Sequence, residues 1–292
     1  MQIAIYGRTL SSEYTNDVFS LLKDLEKNGI QTYLYKALHE QYPQTTEQFP
    51  HIKIFDSTKD LNNDVDFLLS LGGDGTILDA VALVQNSGIP ILGVNFGRLG
   101  FLTGTDKENF SHALNELING NYVIDQRILL HLDANIPLFD DLPFALNDFT
   151  ITKRDIDPMV TIHTFLNGEY INSYYADGLI VATTTGSTGY NMSCNGPILF
   201  PHSACFVITP IAPHHLNTRP LIVPDNSVIS FEIDSRSNKI ICTLDARREL
   251  VTSNIQLAVQ KEKFEIKLVR FKENSFLSTL RNKLSWGIDK RN

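Results

Sequence analysis

Asp74 is the side chain around which a reaction can be read. It stands in Gly72-Gly73-Asp74-Gly75-Thr76, after the apolar run Phe67–Leu71 and before a segment with Ile77, Leu78, Ala80, Val81 and Val84 at helical spacing. A short unbroken apolar run ahead of glycines reads as a buried strand of a parallel sheet. Glycines in a strand-to-helix turn let the backbone approach a ligand, because no Cβ stands in the way. The free N–H groups and positive dipole end of a helix start suit phosphate. Gly72, Gly73, Gly75 and Thr76 are therefore the candidate phosphate-binding positions. A carboxylate among phosphates is unfavourable unless it holds a metal or accepts a proton, which makes Asp74 a candidate functional residue in one of those two roles. The competing reading of a bare G-x-D-G is a tight turn with an Asp helix cap.

A second group of residues lies downstream. Thr183-Thr184-Thr185-Gly186-Ser187-Thr188-Gly189-Tyr190 is too rich in hydroxyls and glycine for a core and suits hydrogen bonding to a ribose or pyrophosphate. Asn147-Asp148 precedes a strand-like run, and an Asn amide offers a donor and an acceptor to a base edge. Asp177-Gly178 precedes another such run, and residues 210–220 form a stiff polar stretch with His214, His215 and Arg219. Adjacent histidines face opposite ways in extended chain, so His214 reads as a structural or hydrogen-bonding group rather than half of a metal pair. A further glycine loop, residues 95–102, follows the strand-like Ile91-Leu92-Gly93-Val94. It is either a plain loop or a partner of the Asp74 turn, with Arg98 facing phosphate or a neighbouring subunit.

The elements that must position these groups change character along the chain. Up to about residue 123, strand-like runs alternate with helical spacing, which predicts an α/β domain with a parallel sheet. Ligands of such sheets bind at the carboxyl ends of the strands, where the Asp74 turn falls. From 124 to 270 the runs are short and β-rich, with Asn167-Gly168 as a hairpin turn, and predict an all-β domain. Residues 271–292 return to helical spacing through Phe276, Leu277, Leu280 and Leu284, and are expected to pack back on the first domain. The 292 residues carry a net charge of −8, which argues against nucleic acid. An anionic substrate must then meet backbone donors, metal or a few placed cations. The three cysteines have the spacing of neither a disulfide framework nor a zinc site. No apolar run is long enough to span a membrane, and the N-terminus runs straight into a strand pattern without a leader, so a cytoplasmic protein is expected.

Taken in order, these motifs resemble the NAD kinase family. The Asp74 turn alone is shared with diacylglycerol and sphingosine kinases. The residues that resemble NAD kinases specifically are Gly93 to Leu102, Asn147-Asp148, Asp177-Gly178, Thr185 to Tyr190, and Pro213-His214 through Arg219-Pro220. The resemblance implies an α/β domain followed by a β-sandwich, and phosphorylation of the 2′-hydroxyl of the adenosine ribose of NAD. ATP is the implied donor and a divalent metal, Mg²⁺, the implied cofactor; the sequence does not point to the metal's ligands. Asp74 is the implied proton acceptor. Asp74, Gly75, Asn147, Asp148, Tyr175, Asp177, Thr188, Gly189, Tyr190, Ser193 and Arg247 are the implied NAD-binding residues, and a homodimer or homotetramer the implied assembly. The chain departs from the family pattern in places. Asp148 stands where Glu is usual, Thr184 for Pro, Gly189 for Ala, Asn195 for Gly, and Ala246-Arg247 for Gly-Gln. Arg247 is expected as a substitute cation near phosphate, and Asn195 as a residue at ease with positive φ.

Overall fold

The computed structural model describes residues 1–61, 64–97, 100–154, 157–272 and 275–286. Contacts divide the chain into two units, Met1–Gln126 with Ile266–Asn292, and Arg127–Glu265.

The first unit is built on one sheet. Its strands run in the order Lys53–Phe55, Gln31–Tyr35, Gln2–Gly7, Phe67–Leu71, Ile91–Asn95, Ile266–Arg270 and Val123–Arg127, and Thr105–Asp106 also pairs with Ile91–Asn95. The pairings from Lys53–Phe55 across to Ile266–Arg270 are parallel. All five residues of Phe67–Leu71 are buried, as a central parallel strand requires. The strand order reverses direction between Gln2–Gly7 and Phe67–Leu71, and the Asp74 turn follows the second of these. It therefore lies at the topological switch point of the sheet, on the carboxyl ends. The helix Thr15–Lys27 buries Val18, Leu21, Leu22 and Leu25 and ends at Gly29, whose φ is +65°. Two short helices follow the second strand, Lys36–Gln41 and Thr45–Gln48, and bury Leu38 and Thr45. The tail is helical over Phe276–Leu284, buries Leu280, and brings Lys283 Nζ to 5.8 Å from the Phe101 ring centroid.

The second unit is a β-sandwich of two six-stranded antiparallel sheets. One runs Leu221–Pro224, Cys205–Ile211, Gly178–Ala182, Asp148–Thr152, Lys239–Leu244, Arg247–Thr252. The other runs Glu169–Ala176, Val160–Leu166, Ile229–Asp234, Leu257–Lys261, Leu130–Ala134, Phe144–Ala145. Alternate residues of both sheets meet in one core with Phe149, Ile151, Phe206, Ile162, Phe231 and Val259. Asn167 and Gly168, at φ +52° and +84°, turn the hairpin between Val160–Leu166 and Glu169–Ala176. Residues 266–270, placed with this unit by the sequence, form the strand Ile266–Arg270 and pair with Ile91–Asn95 in the first unit instead.

Candidate functional site

The turn after Phe67–Leu71 is shaped by a glycine that no other residue replaces easily. Gly72 donates its N–H to the Val94 carbonyl at 3.0 Å and has φ +148°. A methyl group there would lie 2.2 Å from Thr76 Oγ1, so the threonine folds back over the glycine. The helix Asp74–Val84 starts at once, with Gly73 as its cap and no side-chain cap bond. Asp74 is therefore not a capping residue. Its carboxylate reaches to the second glycine loop instead. Oδ2 accepts the Phe101 N–H at 2.8 Å and Oδ1 accepts the Leu102 N–H at 3.0 Å. Gly100 makes this approach possible, since a methyl group on it would sit 2.0 Å from Oδ1. The loop is pinned from behind by Arg270, whose guanidinium donates to the carbonyls of Phe101 at 2.7 Å and Thr103 at 3.0 Å and pairs with Asp125. Each Asp74 oxygen accepts one amide and keeps a further lone pair toward the turn.

Two cations near this turn carried no recognisable sequence signal. Arg270 is one. The other is Arg8, which follows Gly7; Gly7 is in register with Leu71, so Arg8 lies level with Gly72 on the neighbouring strand. Its guanidinium pairs with Asp79 on the Asp74–Val84 helix and stays largely exposed. Arg98 lies outside the described residues.

In the second unit the expected residues fall into a built cluster around Asn147-Asp148. Asp245 turns the chain between Lys239–Leu244 and Arg247–Thr252 at φ +53°. Its carboxylate accepts the backbone N–H groups of Leu146 at 2.9 Å, Asn147 at 2.7 Å and Asp148 at 3.3 Å. From the other side the Thr183 hydroxyl donates to the Leu146 carbonyl at 2.6 Å, and the Thr183 N–H to the Asn147 carbonyl at 2.8 Å. Gly186 packs directly on that carbonyl, which a methyl group would approach to 2.0 Å. At Gly189 an added methyl group would lie 3.7 Å from Asn147 Nδ2 and 4.0 Å from Asp148 Oδ2, so this loop borders both side chains. Asp148 is buried, and desolvation, then the Asp245 charge, push its carboxyl up to about 7. Burial raises Asp245 as well, against the three amides and Arg247, which lower it.

The hydroxyl-rich loop is held from within. Arg127, buried, donates to the Thr185 hydroxyl at 3.1 Å. Ser187 Oγ donates to the Thr184 carbonyl at 2.7 Å, and Thr188 Oγ1 to the Thr185 carbonyl at 3.3 Å. Asn191 bridges the carbonyls of Ser187 and Pro197 and accepts from the Thr209 hydroxyl at 2.6 Å. Asn195 has φ +61°, as its place in a usual glycine position predicts. These bonds leave Tyr190 and Ser193 exposed. Asp177 lies 3.3 Å from Lys153 Nζ. The Tyr175 ring is 5.5 Å from that of His214, whose N–H donates to the Tyr175 carbonyl at 2.9 Å. Arg219 donates to the carbonyls of Leu216 and Thr218 in its own loop, a structural role.

The Arg247 guanidinium donates to the carbonyls of Leu142 and Phe144 and lies against the rings of Phe139 and Phe144. Among the described residues no group of three or more His, Cys, Asp or Glu gathers to hold a metal, and no helix is long and apolar enough to cross a membrane.

Family models and known proteins match both parts of the chain. The ATP-NAD kinase N-terminal domain model matches residues 4–122 and the ATP-NAD kinase C-terminal domain model matches residues 146–271. Proteins named NAD kinase from Cytophaga hutchinsonii and Flavobacterium psychrophilum are each 45% identical, over 293 and 294 residues, with both chains covered in full. One from Bacteroides fragilis is 38% identical over 291 residues, again in full. Among solved structures, yeast NADH kinase complexed with NADH superposes with a TM-score of 0.88 at 23% identity, covering 99% of this chain and 88% of the other. An NAD kinase from Archaeoglobus fulgidus in complex with ATP gives 0.74 at 24% identity, covering 98% and 99%.

Proposed function

This chain belongs to the NAD kinase family and phosphorylates NAD to NADP with ATP; from that premise we propose the roles of its residues. Asp74 is the general base that takes the proton of the ribose 2′-hydroxyl as the bond to phosphorus forms. The observation that carries this role is the clasp of its carboxylate by the Phe101 and Leu102 amides, which fixes the group at the switch point while leaving lone pairs free. A ribose hydroxyl is a weak acid, so proton removal helps mainly in the transition state, typically by ~10²–10⁴-fold. The remainder of phosphoryl-transfer catalysis is positioning and charge neutralisation. The N–H groups of the turn at Gly72, Gly73 and Gly75 supply part of it. A divalent cation such as Mg²⁺ would supply more, and the lack of a protein carboxylate cage among the described residues fits a cation that arrives on the ATP phosphates. Asp74 is the carboxylate of this turn that could share it.

Asn147, Asp148, Tyr175, Asp177, Thr188, Gly189, Tyr190 and Ser193 bind NAD. The support is their family positions together with the packing of the 183–190 loop on Asn147-Asp148. Family membership further supports a cytoplasmic protein that assembles as a homodimer or homotetramer, and both are part of this proposal. The test is NADP formation from NAD, ATP and magnesium, read through an NADP-specific dehydrogenase, for wild type and Asp74→Asn. The variant should lose at least ~10²-fold in kcat while still binding NAD. Equal turnover would reduce Asp74 to a positioning group.

A further inference from the structure

Asp245 takes no part in the roles proposed above, yet its carboxylate accepts three backbone N–H groups in a row. One carboxylate caps three consecutive N–H groups, at Leu146, Asn147 and Asp148, and so fixes the peptide planes from which the Asn147 and Asp148 side chains project. It does this from a left-handed backbone position, φ +53°, that a non-glycine residue occupies at a cost. The residue that follows is Ala246, whose side chain has no hydrogen-bonding group. Asp148 itself is buried, and among the described residues no donor meets its carboxyl oxygens. The charged group that acts on it is Asp245 from the strand turn, and its own charge is felt by Tyr190 and Cys194 of the short helix Tyr190–Ser193 and its cap. None of these is a cation.

We propose that Asp245 is a positioning residue of the dinucleotide site, which holds the 146–148 backbone and, by its negative charge, keeps Asp148 in its protonated form so that Asp148 meets NAD as a hydrogen-bond donor. The inference rests on the reading that Asn147 and Asp148 contact NAD. Two buried carboxylates this close do not both ionise readily. The one with three amide donors is the one that stays charged, and the one without donors carries the proton. Burial first, and the Asp245 charge after it, place the midpoint for Asp148 at about 7. A neutral acid offers an O–H to an acceptor such as a carboxamide oxygen or a ring nitrogen. It also avoids repulsion with the dinucleotide's phosphates. Affinity for NAD therefore falls as pH rises through the Asp148 midpoint.

The experiment measures KM for NAD and KM for ATP from pH 5.5 to 8.5 for wild type, Asp245→Asn, Asp245→Glu and Asp148→Asn. Wild type should show KM for NAD rising through a midpoint near neutrality, with KM for ATP lacking that inflection. Asp148→Asn should abolish the inflection. Asp245→Asn removes the charge, so its midpoint should move about one unit to acid, alongside a rise in KM for NAD of about tenfold or more at pH 6. Asp245→Glu keeps the charge and misplaces it, so KM should rise with the midpoint held. A merely structural Asp245 would change stability, or KM at every pH alike, without moving the midpoint, and that result overturns the proposal. If neither Asp245 variant folds, a wild-type profile without the inflection, or one that Asp148→Asn preserves, overturns it equally. Absence of NADP from wild type would instead refute the kinase reading.

Discussion

Gly100→Ala puts the Asp74 clasp to the hardest test. The added methyl group would lie 2.0 Å from Asp74 Oδ1, 2.7 Å from Cγ and 3.0 Å from Oδ2. An ordinary carbon-to-oxygen contact needs roughly 3.2 Å, so the carboxylate must retreat by about 1 Å or rotate off both amides. Gly100 shows no positive φ, so backbone strain does not contribute to the effect. A displacement of that size in a catalytic group is expected to lower kcat ~10²-fold. The assay is NADP formation at saturating NAD and ATP, with NAD binding followed by calorimetry and folding by thermal unfolding. Binding should stay within about threefold, because the methyl group perturbs a base and not a binding surface. Gly97→Ala is the control: the same loop gains a methyl group with nothing within 4 Å, and activity should be close to wild type. A folded Gly100→Ala enzyme with wild-type kcat would mean that the clasped position of Asp74 is not the working one.

Gly186→Ala brings a methyl group to 2.0 Å from the Asn147 carbonyl, a backbone-to-backbone collision that must shift the Asn147-Asp148 segment. KM for NAD should rise more than ~10-fold, checked by initial rates, with KM for ATP little changed. Asp148→Asn should remove a pH dependence of stability. The wild-type carboxyl, at about 7 when folded, keeps its proton between pH ~4 and ~7 while the unfolded chain has lost it, so stability falls as pH rises through that window. The variant should gain on wild type from pH 5 to pH 8, by about 3 kcal/mol in urea unfolding; a pH-independent difference would contradict the assignment. Arg247→Met leaves the Leu142 and Phe144 carbonyls without their donor, and should lower stability by about 1–3 kcal/mol with KM for NAD within about threefold. Cys242, whose thiol burial pushes up to about 12, should resist a thiol reagent until the protein is unfolded.

Much of the fold was legible because buried parallel strands and glycine turns write themselves into the sequence. Phe67–Leu71, buried at every position, and the Asn167-Gly168 hairpin follow from local pattern alone. Edge and returning strands do not. Arg247–Thr252 has one pairing partner and exposes every second residue, so its sequence Arg-Arg-Glu-Leu-Val-Thr lacks an apolar signature. Ile266–Arg270 looks like any other apolar run, and its pairing with Ile91–Asn95 is a contact across most of the chain that no local spacing encodes.

The site divides along the same line, with a difference that bears on how its residues should be sought. Glycines, hydroxyls and Asp74 were recognisable because a short motif must contain them in order. Their supports were not. Arg270, Arg8 and the Phe101 and Leu102 amides reach the Asp74 turn by strand order and register, not by sequence neighbourhood. Asp245 reaches Asn147-Asp148 because Lys239–Leu244 lies beside Asp148–Thr152, almost a hundred residues away in the chain. Arg247, two residues past Asp245, likewise has partners that its spacing does not announce, the carbonyls of residues 142 and 144. A motif thus names the groups that meet the substrate. The groups that fix their geometry and protonation lie wherever the sheets bring them, and the pH profile of an Asp245 variant reads them more directly than a loss of activity does.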